Sequence, residues 1–187
     1  MSRSIALVGM MGAGKTTIAT RLGERLGRGV VDTDVEIRAW TGRSIPELFA
    51  EAGEVGFRDL ERQVVEEVAK IEDMVISLGG GAVLRDDNVA SLLLTGVIVH
   101  LDASPEVIVE RLRAADQVTD RPLLAGKDEL ETTVHATHAA RIDRYREVAD
   151  LDVDADRDPD AIVQEILEWA LKQGDVLTPS EHEQVMN

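Results

Sequence analysis

The chain has 187 residues, 44% hydrophobic and 30% charged, a length and balance that suit one domain with a substantial core. Its 36 acidic and 20 basic side chains leave a formal net charge of −16, which argues against nucleic-acid and anionic-membrane partners, and at 3% aromatic content few rings are available to stack bases. Cysteine is absent, which excludes disulfides and thiolate metal sites; with no charged-then-apolar leader and no apolar run near the ~20 residues of a membrane span, a cytoplasmic setting is expected.

Residues 4–8 form a short apolar run that predicts a buried strand. Gly9-Met10-Met11-Gly12-Ala13-Gly14-Lys15-Thr16 follows and fits the phosphate-cradling pattern G-x-x-x-x-G-K-[ST]. Ile18, Leu22 and Leu26 then recur at helical spacing, so the motif lies between a strand and a helix start. The glycines let successive N–H groups turn inward toward an anion, and the helix N-terminus adds its own free N–H groups. In that setting Lys15 reaches the outer phosphates and the Thr16 hydroxyl ligates Mg²⁺. An ordinary glycine-rich turn is the alternative, and the Lys-Thr pair in register argues against it.

Glycines at 27 and 29 stop the first helix, and residues 30–34 predict a second strand. Two apart on a strand, Asp32 and Asp34 leave the same face, where they repel unless a cation or hydrogen-bonding ligand stands between them. One suits a Mg²⁺ shell and the other suits accepting a proton from an attacking hydroxyl; simple turn capping is the alternative. Ser44 and Glu47 have capping-box spacing and predict a helix to about residue 52, with a longer helix over 54–71. On the latter, Arg58 and Glu61 are three apart on one face. Spacing favours a surface ion pair over an arginine aimed at an anionic group.

Residues 74–78 predict a third strand stopped by Gly79-Gly80-Gly81, which is either a tight turn or a place where substrate meets bare N–H groups. A helix over 87–94, a strand over 97–101 and a helix from Ser104-Pro105 to about 114 follow. Residues 115–126 are polar and irregular and predict a mobile loop carrying Arg121. A helix over 128–148 ends in Arg141, Arg144 and Arg146, a cluster whose spacing reads as a solvated face. A last strand over 150–153 and a helix from Asp158-Pro159 to about 172 complete the pattern, and the polar stretch 174–187 predicts a disordered tail. Strands alternating with helices give an α/β fold with a mainly parallel sheet, whose ligands bind beyond the carboxyl ends of the strands. Gly9–Thr16, Asp32 with Asp34, and Gly79–Gly81 all fall at such ends. The four histidines offer no convincing ligand set, His135 and His138 reading as helix-surface residues.

The whole pattern resembles the shikimate kinases, small P-loop kinases of aromatic amino-acid biosynthesis. The matching segments are Gly9–Thr17, Asp32-Thr33-Asp34, Thr41–Ile45, Phe57-Arg58 with Glu61, Ser77–Ala82 and Arg121–Leu124. Arg141 and Tyr145 keep the family's offset, with Asp143-Arg144 where Pro-Leu is common. The resemblance implies one three-layer P-loop kinase domain over 1–173 with a five-stranded parallel sheet in order 2-3-1-4-5, a substrate-binding helical region near 33–61 and a lid near 113–126. It implies ATP held by Gly12, Ala13, Gly14, Lys15, Thr16 and Thr17, with Arg113, Arg121 and Arg157 on the nucleotide side. Thr16 and Asp32 would serve Mg²⁺, and Asp34, Arg58, Gly80, Gly81 and Arg141 would bind shikimate. Lys15, Asp34 and Arg121 would carry the transfer of a phosphoryl group to the 3-hydroxyl, in a monomer without nucleic-acid or membrane partners. A gluconate- or nucleotide-type kinase and a signalling nucleotide switch are the rivals, the switch weakened because no Asn-Lys-x-Asp stretch is present.

Overall fold

The computed structural model describes residues 2–115 and 127–186. In chain order the elements are β1 (Ser4–Val8), α1 (Lys15–Leu26), β2 (Gly29–Asp32), α2 (Thr33–Thr41), α3 (Ile45–Val68), β3 (Met74–Ser77), a 3-10 turn (Ala82–Leu84), α4 (Asp86–Thr95), β4 (Gly96–Asp102), α5 (Pro105–Ala114), α6 (Lys127–Val148), β5 (Leu151–Asp154), α7 (Pro159–Gln173) and α8 (Pro179–Met186). The five strands form one sheet in the order β2-β3-β1-β4-β5, every neighbouring pair parallel. Helices cover both faces, so β1 is buried along its whole length and β4 is buried up to its last residue. Ile5, Leu7, Ile76 and Ile98 from the sheet pack with Ile18 of α1 and Ile108 of α5 in one continuous core.

Registry brings the functional ends together. Leu7 pairs with Ser77, and Ser77 pairs in turn with Asp32, so β1, β3 and β2 finish side by side. The phosphate loop, the Asp32 turn and the triple glycine therefore leave one sheet edge, as the strand-end pattern predicts.

Two local expectations are corrected. The second strand stops at Asp32 rather than at Asp34. The Asp32 carboxylate accepts the N–H groups of Asp34 and Val35 and so starts α2. Asp34 thus lies in the first turn of a helix, and the two carboxylates do not share a strand face. Residues 174–187 are not a disordered tail where they are described: Val176 and Leu177 are buried and α8 follows. The Thr178 hydroxyl accepts the Glu181 N–H at 3.3 Å and the Glu181 carboxylate accepts the Thr178 N–H at 2.7 Å, a reciprocal cap that starts this helix. Glu181 also meets Arg28, at 2.6 Å, in a buried pair at the amino end of the sheet.

The Ser44–Glu47 capping box is present. Its helix and the longer one after it run on as α3, broken where Gly53 takes φ 67°. Only glycine enters that left-handed region at no steric cost. The break separates the short arm that begins at the Ser44 cap from the segment carrying Arg58 and Glu61, and α3 packs against α2. The predicted mobile loop and lid lie, from residue 116 to 126, outside the described residues, and Arg121 with them.

Candidate active site

The phosphate loop curls as its sequence demands. Gly9, with φ 141°, passes so close to β4 that a Cβ there would stand 2.7 Å from the Leu101 carbonyl oxygen. Gly12 lies against Ile108 and Leu112 of α5, and Gly14, also left-handed, precedes α1. The first turn of α1 holds no acidic residue, so its exposed N–H groups keep their positive end. The Lys15 ammonium donates to the Gly9 and Met10 carbonyls at 2.9 Å each, which lays it across the loop.

Asp32 ties this loop to its neighbours. Its Oδ2 accepts the Thr16 hydroxyl at 3.1 Å and the Ser77 hydroxyl at 2.9 Å, while Oδ1 takes the α2 N–H groups. A hydroxyl and a carboxylate oxygen side by side at a phosphate loop are the donor set that a hard cation such as Mg²⁺ accepts, the remaining ligands being phosphate oxygens and water. The residues present therefore fit that ion. One residue on, the Thr33 hydroxyl accepts the Gly79 N–H at 2.9 Å, fixing the start of the triple glycine against α2.

Around those glycines four charged side chains converge from three helices. A Cβ on Gly79 would stand 2.8 Å from Asp34 Oδ1 and 2.9 Å from Glu61 Oε1, so both carboxylates lean over it. Gly81 lies directly beneath the Arg58 guanidinium, which a Cβ would collide with. Arg58 Nη1 donates to Glu61 Oε2 at 2.7 Å, and Glu61 is 1% exposed. Burial raises the Glu61 pKa and the Arg58 charge works against it. From α6, Arg141 donates to the Gly80 carbonyl at 3.3 Å. Neither arginine sits where spacing alone puts it. Arg58 is half-buried facing the glycines rather than on an exposed helix surface, and Arg141 turns away from the solvated face that Arg146 occupies.

The nucleotide-side arginines divide differently. Arg113 pairs with Glu131 of α6 at 3.3 Å and is exposed. Arg157 is exposed too, held by Glu165 and by the Asp154 carbonyl. Arg111, which the sequence does not single out, reaches inward instead. Its guanidinium donates to the Ala13 carbonyl at 3.2 Å and to the Ala155 carbonyl at 2.8 Å, joining the phosphate loop to the loop after β5. The signal for it was helical phase. Ile108 faces Gly12, and Arg111 lies three residues on along that face, whereas Arg113 is turned away from it.

Known proteins resemble this chain in sequence and in fold. A family model described as shikimate kinase matches residues 11–171. A shikimate kinase from Symbiobacterium thermophilum is 42% identical, with 92% of this chain and 98% of that protein covered. One from Mycobacterium tuberculosis is 44% identical, with 89% and 93% covered. Among solved structures, shikimate kinase from Acinetobacter baumannii in complex with shikimate superimposes with a TM-score of 0.85 at 35% identity, over 92% of this chain and 95% of that one. With the phosphate loop, the Asp32 turn and the arginine-flanked triple glycine in these positions, and relatives covered almost end to end, the chain belongs to the shikimate kinase family.

Proposed function

We propose that the protein transfers the γ-phosphoryl group of ATP to the 3-hydroxyl of shikimate, giving shikimate 3-phosphate and ADP. The observation that carries this reading is the ring of Asp34, Arg58, Glu61 and Arg141 around Gly79–Gly81, beside a phosphate loop. Two guanidinium groups suit one carboxylate, and a carboxylate partner suits a hydroxyl. A ring acid with several hydroxyls offers both groups on one rigid frame.

The family resemblance and the positions of the described residues support the following roles. The N–H groups of Gly12 to Thr17 and the Lys15 ammonium hold the phosphates. Thr16 and Asp32 hold Mg²⁺, which when bound neutralises charge on the phosphate oxygens. Arg58 and Arg141 grip the shikimate carboxylate, and Gly80 and Gly81 offer backbone contacts to the ring. Asp34 accepts the proton of the 3-hydroxyl as its oxygen bonds to the γ-phosphorus and the bond to the ADP oxygen breaks. Arg111 replaces Arg113 as the arginine bordering the nucleotide, with Arg157 at the outer rim. The family resemblance alone assigns Arg121, which lies outside the described residues, to the phosphates. The helical region 33–61 forms the acceptor side, and the enzyme works as a cytoplasmic monomer. No helix among the described residues is long and apolar enough to cross a membrane.

The test is ADP release with ATP, Mg²⁺ and one acceptor at a time: shikimate, quinate, gluconate or a nucleoside monophosphate. Shikimate is expected to give at least about tenfold the kcat/KM of any other acceptor, a margin of about 1.4 kcal/mol in transition-state binding. A better rate with gluconate or a nucleotide would refute the assignment. In the same assay Arg58→Ala should raise the shikimate KM by roughly 10- to 100-fold, the range of one charge-assisted hydrogen-bond pair, while the ATP KM stays within about twofold.

A further inference from the structure

Gly80 offers one carbonyl to two donors. The Tyr145 hydroxyl donates to it, and so does Arg141, one turn earlier on α6. Arg141 also lies against the Tyr145 hydroxyl itself. Tyr145 is among the largest fully buried side chains in the protein, and its hydroxyl stands 3.9 Å from the sulfur of Met10 in the phosphate loop. Its ring is stacked on His100 of β4, with ring centres 5.1 Å apart. His100 is fixed from the far side, Nδ1 lying 2.6 Å from Asp152 of β5. Burial holds the imidazole below its usual pKa in spite of that carboxylate, so the neutral ring donates from Nδ1. A chain of contacts thus runs from the sheet, through Asp152, His100 and Tyr145, to the Gly80 carbonyl.

That carbonyl matters because of the peptide unit it belongs to. In a trans peptide the C=O of Gly80 and the N–H of Gly81 point opposite ways. Gripping the oxygen therefore aims the N–H, and glycine has no side chain to hold the plane by itself. The same grip concerns Arg141. While the carbonyl depends on Arg141, a substrate carboxylate can take this arginine only by leaving a half-buried acceptor short of a donor. A second donor removes that conflict.

We infer that Tyr145, seated on His100, is a positioning residue for the acceptor's carboxylate: its hydroxyl holds the Gly80 carbonyl so that Arg141 is released to the substrate and the Gly81 N–H stays aimed at the site. The inference rests on the acceptor reading given above. It touches binding of the acid group and not the reacting oxygen or the nucleotide.

Tyr145→Phe tests it, because the ring and its stacking remain and only the hydroxyl goes. Calorimetric titration of the whole protein with shikimate, and steady-state kinetics with ATP, are the readouts. The variant should bind shikimate roughly tenfold more weakly and show a matching rise in shikimate KM, with kcat and the ATP KM within about twofold. Shikimate methyl ester, which lacks the anionic group, should bind wild type and variant alike. Shikimate affinity within twofold of wild type would overturn the inference. So would an equal rise in both KM values with a lowered melting temperature, since that is what a packing role gives. A wild type that neither binds nor phosphorylates shikimate removes the acceptor reading and this inference together. One that does both, beside an unaffected Tyr145→Phe, removes this inference alone.

Discussion

Asp32 and Asp34 stand two residues apart and face different partners. Asp32 spends both oxygens on fixed donors, two hydroxyls and two backbone N–H groups. Asp34 leans over Gly79 beside Glu61, toward the space where an acceptor ring would lie. Replacing Asp34 with Asn keeps the shape and removes the proposed base. Turnover of Asp34→Asn should fall by roughly 10²- to 10⁴-fold, with a melting temperature close to wild type. Near-normal kcat in that variant would take Asp34 out of the chemistry. At this scale the sequence shows the phosphate loop clearly, because all its parts are contiguous. Arg58 and Arg141 are obscure for the opposite reason. Each lies beside Gly80 or Gly81, and only folding brings α3 and α6 to those glycines. Without the family resemblance, helical spacing assigns both arginines to solvent. Arg111 escapes notice even with the resemblance, since Arg113 is an equally plausible cation two residues away.

Most elements are legible from apolar periodicity and caps, and the two misread ones have definite causes. α2 is missed because the residues before it alternate like a strand, whereas the Asp32 side chain ends the strand by capping a helix. α8 is missed because its amphipathic pattern is short and weak. Its start carries Thr178-Pro179-Ser180-Glu181, the same capping arrangement that identifies the helix after Ser44. Long-range contacts then secure it. Arg28 Nη2 donates to the Val176 carbonyl and to Glu181, and the Arg3 N–H donates to the Asp175 carbonyl. Glu181→Ala would leave Arg28 charged and buried without its carboxylate, so a loss of about 3 kcal/mol in unfolding free energy is expected from urea melts at pH 7. Activity of the folded fraction should persist, because this corner lies at the opposite end of the sheet from the phosphate loop. The pH dependence has a definite sign. Burial pushes the Glu181 carboxyl up, but hydrogen bonds from Arg28 and Thr178 outweigh it and hold the pKa below its ordinary value of 4.5. A depressed carboxyl stabilises the native state above its unfolded pKa and loses that contribution as pH falls through the folded one. The gap between wild type and Glu181→Ala should therefore be full at neutral pH and shrink below about pH 4.5. A gap that is unchanged by acid, or absent at pH 7, would show that the pair contributes nothing.

As a whole, the molecule carries −16 and is assigned a polyanionic substrate. Cationic groups are accordingly gathered at the site: Lys15, Arg58, Arg111 and Arg141 all turn inward toward glycine-rich loops. Elsewhere carboxylates outnumber cations and repel one another, which weakens the compact state. Surface pairs such as Arg62 with Glu66 offset little of this, at about 0–1 kcal/mol each. Raising KCl from 0.05 to 0.5 M shortens the screening length from more than about 10 Å to less than about 8 Å and should damp the net repulsion more than it weakens the pairs. The melting temperature is expected to climb by several degrees over that range. A fall would mean that the ion pairs, not the excess charge, govern stability.

The carboxylate at position 32 also limits how this site can change over generations. It must start a helix, meet a loop hydroxyl and meet a strand hydroxyl with the same four atoms of side chain. Asparagine starts the helix but gives up the charge, and glutamate keeps the charge but overreaches the cap. Any innovation on the nucleotide side that needs a different residue there has to rebuild the start of α2 as well, and with it the placement of Asp34 over Gly79. The two half-sites are therefore bound to evolve as one.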